Sequence, residues 1–309
     1  MIIFNFYEQK HTEMIQPHQE IADQALMELL EFGYTIIPDI LTYDEVETAT
    51  NLFHDWKQTI PNHDDFHRNV DPHGIYKYHE VGQQPHAWFI RTRPAVQEIY
   101  KYIWSCDNLI TSFDGCCYIP AEDNRIDKCW THTDQSGKIK DFQCYQGFVS
   151  LTNNKERTLV VYEGSHDFHS EYFKNYDTST IQWTLIDPKI LETKLKDKKR
   201  ILEVPAGALV MWDSRTFHQN QFGKLNNGEE RLVQYVCFYP RNHPDNTLAM
   251  RKKRHKYFEE RRTTSHWPCP IRVNSKQPHT YGNNERLVDY TQLRIPDLTE
   301  FREDIKKLL

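Results

Sequence analysis

Apolar residues recur at three- and four-residue steps in the first third of the chain. This spacing places them on one face of a helix, and it predicts an amphipathic helix over residues 18–32. The apolar positions are Ile21, Ala25, Leu29 and Phe32. Gly33 follows at once and suits the C-cap, where the left-handed backbone conformation favours glycine.

Two further helices are predicted by the same spacing together with start signals. Thr42 and Glu45 have the spacing of a capping box, in which each side chain accepts a hydrogen bond from the other residue's backbone N–H. Pro94 suits a first helical turn. The apolar stripes behind these signals are Val46, Ala49, Phe53 and Trp56, then Val96, Ile99, Tyr100 and Ile103. We expect Trp56 to be buried against the β-core.

From about residue 109 the pattern changes to short segments rich in β-branched and aromatic residues, which predict strands. Gly, Pro, Asn or Asp bounds them, and VPAG between two of them is a turn signal. The segments are LITSFDGCCYI (109–119), FQCYQGFVSL (142–151), TLVVYEG (158–164), RILEV (200–204), ALVMWD (208–213) and RLVQYVCFY (231–239). At least six strands with irregular connections favour a jelly-roll or barrel-like core.

This order of elements predicts an α+β protein with flanking helices, mainly N-terminal. We expect residues 1–108 to form a helical layer of the same domain and residues 109–244 the β-core. Residues 245–309 are then a basic helix and a C-terminal extension.

Composition narrows the functional classes. The chain has 309 residues, 38% of them hydrophobic, and no apolar run approaches the roughly 18 residues of a membrane span. The N-terminus lacks a signal-peptide pattern, so a soluble cytoplasmic protein is expected. Seven cysteines without C-x-x-C spacing are expected to be reduced thiols. A net charge of −6 gives no reason to expect nucleic-acid binding.

The candidate chemistry is a metal site. An iron(II) that activates oxygen needs two histidines and one carboxylate on one face, which leaves three positions open. His132 and Asp134 form a His-x-Asp pair after the first strand segment, and His218 ends a later apolar strand. The two-residue step lets both members of the pair project to the same side.

Other pairs compete with this assignment. His63/Asp65 lies in a polar segment before any strand, and His243/Asp245 follows the last strand and contains Pro244. His169/Glu171 is the serious rival. It leaves too few strands before His218 to complete a double-stranded β-helix, so we place it below His132/Asp134.

An arginine opens the strand that follows His218. Arg231 lies thirteen residues further on and can reach the same cavity from a neighbouring strand. Its planar guanidinium suits bidentate pairing with a carboxylate, and the distal carboxylate of 2-oxoglutarate is the natural partner.

At these residues the chain resembles the phytanoyl-CoA dioxygenase superfamily of Fe(II)/2-oxoglutarate oxygenases, in a branch whose activities are not characterised. The resemblance covers about residues 110–240. Its motifs are WTHTDQ (130–135), YQGFVSL (145–151), LVVYEGSH (159–166), PAGALVMWDSRTFHQN (205–220) and RLVQYV (231–236). The resemblance implies a double-stranded β-helix, or jelly-roll.

The resemblance also implies site residues. It makes His132, Asp134 and His218 the iron ligands and Arg231 the 2-oxoglutarate anchor. Many members carry Ser two residues after the distal histidine, where this chain has Asn220, which can still donate a hydrogen bond. Gln135 and Gln146 are further candidates for the co-substrate pocket, with structural amides as the alternative.

The expected activity is hydroxylation of a small-molecule or acyl substrate by O₂, with 2-oxoglutarate converted to succinate and CO₂. The presence of Asp134 favours hydroxylation, because halogenating relatives lack this carboxylate. The alternatives are a cupin-like metal enzyme that does not use 2-oxoglutarate and a non-catalytic β-core binding protein.

Two segments bear on the substrate without identifying it. The segment 251–262 is rich in Lys and Arg and either attracts an anion or is a solvated helix face. The segment 73–91, rich in histidine and aromatic residues, either covers the iron or packs in the helical layer.

Overall fold

The fold combines helices with antiparallel sheets. The computed structural model describes residues 16–61, 63, 73–139, 141–176 and 183–309. The helices within these ranges are α1 Gln16–Phe32, α2 Tyr43–Gln58, α3 Pro85–Arg91, α4 Pro94–Trp104, α5 Ser165–Asn175, α6 Pro188–Thr193, α7 Leu248–Glu259 and α8 Arg302–Leu308. The expected mixture of helix and sheet is confirmed.

The strands form a sheet of six, a sheet of five and a separate pair. They are β1 Tyr34–Ile37, β2 Ile75–Tyr76, β3 Leu109–Thr111, β4 Cys116–Ile119, β5 His132–Thr133, β6 Tyr145–Ser150, β7 Leu159–Tyr162, β8 Thr184–Leu185, β9 Lys199–Ile201, β10 Leu209–Asp213, β11 His218–Asn220, β12 Arg231–Val236 and β13 Phe238–Pro240. The larger sheet has the order β1-β10-β6-β12-β4-β2 and the smaller β8-β5-β11-β7-β9, while β13 pairs with β3. Every pairing is antiparallel.

The two larger sheets enclose a buried apolar cluster. Phe148 and Trp212 of the six-stranded sheet meet Leu159 and Val161 of the five-stranded sheet there. Because successive side chains of a strand alternate between its faces, Phe148 and Gln146 point into the same space. The same alternation puts the first residue of β12, Arg231, on the inner face with Val233 and Tyr235 of that strand.

The helices at the N-terminus cover the outer face of the six-stranded sheet. The predicted capping box of α2 is present, with the Glu45 N–H bound to the Thr42 hydroxyl. Phe53 lies 5.1 Å from Tyr118 of β4 between ring centroids, and Trp56, 7% exposed, contacts Tyr76 of β2. These contacts confirm that the stripe of α2 packs on the sheet.

The other two predicted helices are present, but the buried face of one of them differs from the prediction. The buried stripe of α4 is the predicted one. In α1, Gly33 has a φ of +84° and its N–H binds the Leu29 carbonyl, as expected of the C-cap. Ile21, however, is 39% exposed, and the buried face consists of Ala22, Ala25 and Leu29. The expectation for Ile21 was wrong because small alanines let α1 lie close to its neighbours.

Three parts of the fold were not foreseen. β1 lies in the N-terminal third and pairs with β10, bringing Tyr34 opposite Trp212. Helix α5 follows β7 directly. Residues 263–274 return towards the β-core, where Thr264 binds the backbone N–H of Phe113. Among the described residues, no helix is long and apolar enough to cross a membrane.

Candidate metal centre and adjoining cavity

Two strands of the smaller sheet bring the proposed ligands together. His132 on β5 lies directly opposite His218 on β11, and Asp134 follows two residues after His132. The His132 Nε2 is 3.5 Å from the Asp134 Oδ1, and the His218 Nε2 is 3.3 Å from the Asp134 Oδ2. Within the described ranges, these are the residues whose ligand atoms cluster closely enough to share one ion, all within 4.8 Å of one another.

Backbone carbonyls orient both imidazoles. The His218 Nδ1 lies 2.9 Å from the Thr216 carbonyl oxygen, and the His132 Nδ1 lies 3.3 Å from the Trp130 oxygen. With the hydrogen assigned to Nδ1, each Nε2 lone pair faces the carboxylate. Such second partners fix the tautomer and ring orientation of metal-binding histidines.

The protonation states also suit a cation. Burial alone would raise the pKa of Asp134, but the histidines around it, His266 first, hold that pKa well below its ordinary value. Burial, followed by the charge of His218, lowers the pKa of His132. A neutral imidazole and an ionised carboxylate are the forms that bind metal ions.

The two glutamines differ in what they bind. The Gln146 Nε2 donates to the Asp134 Oδ2 at 3.0 Å, so this residue holds the carboxylate in place. The Gln135 amide donates to the Ile139 and Asp141 carbonyls and accepts from Ser214. These contacts use both the donor and the acceptor ends of the Gln135 amide. We therefore leave Gln135 out of the co-substrate site proposed below.

The main rival pair, His169 and Glu171, does not come together. His169 and Glu171 lie on α5, where two residues apart means nearly opposite sides of the helix. The His169 Nε2 contacts the Gln135 carbonyl at 2.8 Å, while the 60% exposed Glu171 pairs with Lys194.

Of the two remaining pairs, one lies wholly within the described residues. The His243 Nδ1 and the Asp245 Oδ2 lie 3.8 Å apart at the surface, and no third ligand joins them among the described residues. Asp65 of the pair His63/Asp65 lies outside the described residues.

Arg231 is the most unusual side chain of the interior. It is 1% exposed, yet none of its three guanidinium nitrogens has a hydrogen-bond partner among the residues that the structure describes. Its Cζ lies 5.4 Å from the centre of the Phe148 ring. Between ring centroids, Phe148 is 5.9 Å from Trp212, and Trp212 is 5.3 Å from His218. A short row of side chains between the sheets therefore links this cation to the metal ligands.

Two polar groups accompany Arg231 between the sheets. The Asn220 amide donates to the Tyr235 hydroxyl at 3.3 Å and lies 3.6 Å from the Cys117 sulphur. The indole N–H of Trp212 is buried and has no hydrogen-bond partner within the described ranges. Sequence reasoning missed Trp212, although its place six residues before His218 on an inward-facing strand position was readable.

A cavity of about 380 Å³ is lined by His132 and Asp134 of the triad. His266 lies between two carboxylates there. Its Nδ1 bonds the Asp114 Oδ2, and its Nε2 is 3.8 Å from the Asp134 Oδ1. Burial lowers the pKa of His266, but Asp114 and Asp134 outweigh burial and raise it to about 9. Sequence reasoning missed His266 because it lies in a long C-terminal segment without periodicity.

The sequence left two alternatives for each of the segments 73–91 and 251–262, and the contacts of both segments can now be described. Part of 73–91 faces the cavity, where His73 stacks on Trp130 at 3.8 Å, and the remainder packs in the helical layer. In 251–262, Arg254 is fully buried and donates to Asn246 and to the Pro268 carbonyl. That arginine supports the backbone leading into the cavity wall and is no part of a solvated face.

The chain is similar in sequence to a known protein over part of its length. No protein-family model matches the chain. The Ava biosynthesis cluster protein O of Aspergillus versicolor is 29% identical over 189 residues, which cover 57% of this chain and 61% of that protein. The match thus spans less than two thirds of that relative's length.

One solved structure shares the fold at low identity, and a second is reported with it. GlcNAc Inducible Gene 2 (GIG2, DUF1479) from Candida albicans is 16% identical, with a TM-score of 0.51 over 73% of this chain and 69% of that chain. HygX from Streptomyces hygroscopicus, solved with nickel and 2-oxoglutarate bound, is 12% identical, with a TM-score of 0.49 over 70% of this chain and 86% of that one. At these identities the likeness is one of fold, and the chemistry has to be argued from the chain's own residues.

Proposed function

We propose that this chain is an Fe(II)- and 2-oxoglutarate-dependent oxygenase on a double-stranded β-helix, of the phytanoyl-CoA dioxygenase superfamily. Its proposed reaction is the hydroxylation of a small-molecule or acyl substrate. The buried, unpaired guanidinium of Arg231 carries this proposal, since it shares one interior with a His-Asp-His cluster. A buried charge without a partner is strongly unfavourable, so this position calls for an anion.

The donor set fits the metal. Two imidazole nitrogens and one carboxylate oxygen on one side suit a divalent ion such as Fe(II), with coordination positions left for other ligands. His132, Asp134 and His218 would hold the ion, and Gln146 would keep the carboxylate aligned. When bound, the iron and 2-oxoglutarate would supply the activation of O₂, with succinate and CO₂ as the co-products.

The interior fits the co-substrate. 2-Oxoglutarate is a five-carbon dianion, and its distal carboxylate needs a partner that is separate from the metal. Arg231 offers a planar pair of donors, and the Asn220 amide and the unpaired Trp212 N–H lie in the same interior. Phe148 and the neighbouring apolar side chains would exclude water from this pairing, which strengthens it.

The cavity fits a separate substrate. It is lined by His132 and Asp134, whereas Arg231 is not among the described residues that line it. A substrate there would lie beside the proposed metal ligands without using Arg231. The residues of the chain would thus bind the metal, the co-substrate and the substrate at three adjoining places.

Anaerobic calorimetry tests the proposal directly. Fe(II) should bind the wild-type protein, and 2-oxoglutarate should then bind the iron-loaded protein at one site per chain. His218→Ala should lose the iron, while His169→Ala, the control, should bind both. A protein that binds iron but not 2-oxoglutarate would favour the cupin-like alternative, and one that binds neither would favour a non-catalytic protein.

A further inference from the structure

The cavity beside the triad contains a charge imbalance. Its two carboxylates both have partners, because Asp134 lies among the proposed metal ligands and Asp114 bonds His266 and the Gly115 N–H. Lys77 and Arg272 also line the cavity. Neither of these side chains makes a hydrogen bond or an ion pair with any residue in the described part of the chain.

Lys77 lies close to the centre of the site. Burial, and after it the charge of Lys77, lowers the pKa of His73 to about 4. His73 stacks on Trp130, which in turn stacks on His132 at 4.7 Å. The ammonium group therefore lies within electrostatic range of the stack that ends at a metal ligand.

The apolar part of the cavity is aromatic. Trp183 and Leu185, 52% and 53% exposed, line it, and the ring of Trp183 lies 6.0 Å from His132 in an edge-to-face arrangement. Trp267, 9% exposed, forms a further part of the wall. Large exposed apolar side chains at the rim of a concave site mark a surface that a ligand covers.

We propose that the substrate is an organic anion with a flat apolar body, whose carboxylate or phosphate pairs with Lys77 and Arg272 while the body packs on Trp183 and Trp267. This inference rests on the proposed function, since it names the substrate class of the same centre. The charges of an iron(II) ion, Arg231, Asp134 and a 2-oxoglutarate dianion would cancel, and His266 pairs with Asp114. The two unpaired cations then remain for a charge that the substrate brings.

Three small-molecule probes separate the contribution of the ligand's charge from that of its flat ring. Indole-3-acetate and indole-3-acetamide share one flat ring and differ in charge, and acetate lacks the ring. Binding to the full-length protein is measured by ligand-observed NMR, first without metal and then with Fe(II) and 2-oxoglutarate under anaerobic conditions. We expect the indole carboxylate to bind about tenfold or more tightly than the amide at low salt. This preference should shrink as ionic strength rises.

Variants assign the preference to the two cations. Lys77→Gln or Arg272→Gln should reduce it several-fold, and the double variant should abolish it. The control is Lys252→Gln/Lys253→Gln on α7, which removes two exposed lysines outside the cavity wall. Trp183→Ala should weaken both indole probes equally.

Three results would overturn the inference. They are equal binding of carboxylate and amide, a preference that survives the double variant, and failure of every probe to bind. The Fe(II) and 2-oxoglutarate affinities of Lys77→Gln and Arg272→Gln should equal those of the wild type. If the wild type shows the anion preference without binding iron, the proposed function fails and the anion site stands.

Discussion

Replacing Arg231 by methionine should separate stability from co-substrate binding. Arg231 is 1% exposed and its guanidinium nitrogens have no hydrogen-bond partner in the described part of the chain, so the protein without co-substrate contains a buried cation without a paired anion. Methionine keeps an unbranched apolar side chain and has no charge. We therefore expect the free energy of unfolding of Arg231→Met to be unchanged or higher without 2-oxoglutarate, because removing an unpaired buried charge relieves its desolvation.

The same change should greatly weaken 2-oxoglutarate binding. Loss of one partner of a buried, hydrogen-bonded charge pair costs about 2–5 kcal/mol. That range corresponds to a dissociation constant raised about 30- to 5,000-fold. Arg231→Lys keeps the charge but not the planar pair of donors, so its loss should be smaller. The affinity for Fe(II) should stay close to that of the wild type in both variants.

Thermal unfolding with and without 2-oxoglutarate, in the presence of Fe(II) and without oxygen, measures both effects in one assay. Bound ligand raises the melting temperature by mass action, and this rise should vanish in Arg231→Met. The matched control is Arg200→Met, since Arg200 is half-buried on β9 and already paired with Glu163. A normal rise in Arg231→Met would refute the assignment of Arg231 to the co-substrate.

Four further predictions follow from the described contacts. His132→Ala should abolish 2-oxoglutarate turnover with the fold intact, and loss of turnover in His169→Ala instead would reverse the ligand assignment. Trp56→Ala should lower the free energy of unfolding by about 3–5 kcal/mol in chemical denaturation, and a change under about 1 kcal/mol would contradict its packing on the sheet. His86 is fully buried and its pKa is lowered by burial to about 3, so the unfolded chain takes up its proton first as the pH falls below about 6.5. When the pH is lowered from 7 to 5, the free energy of unfolding of His86→Leu should therefore rise by about 2 kcal/mol relative to that of the wild type. Parallel stability curves for the two proteins would contradict this. Trp212→Phe keeps an aromatic ring but removes the indole N–H. If that N–H donates to 2-oxoglutarate, the affinity for 2-oxoglutarate should fall about two- to tenfold, and an unchanged affinity would show that it does not donate.

Local signals in the sequence predicted much of the fold. The capping box of α2 and the proline that begins α4 depend on neighbouring residues alone, so they could be read without tertiary information. Strand β1 could not, because its four residues are held by pairing with β10, more than 170 positions away. The exposed position of Ile21 likewise depends on which face of α1 its neighbours cover.

The candidate metal centre was more predictable than the cavity beside it. His132 and His218 lie on strands and Asp134 follows β5 directly, so their order and spacing can be read from the sequence. The cavity wall is formed largely by residues 263–274, an irregular segment whose course is fixed by distant contacts such as that of Thr264 with Phe113. No local pattern announces that His266 would meet Asp114 from the other end of the chain.

The most direct test of the central claim is an anaerobic titration followed by visible absorption. Fe(II) is added to the protein first and 2-oxoglutarate second. We predict a weak charge-transfer band that needs both additions, is absent in His218→Ala and requires far more 2-oxoglutarate in Arg231→Met. Absence of the band from wild-type protein saturated with both would contradict the proposal that iron and 2-oxoglutarate meet at this centre.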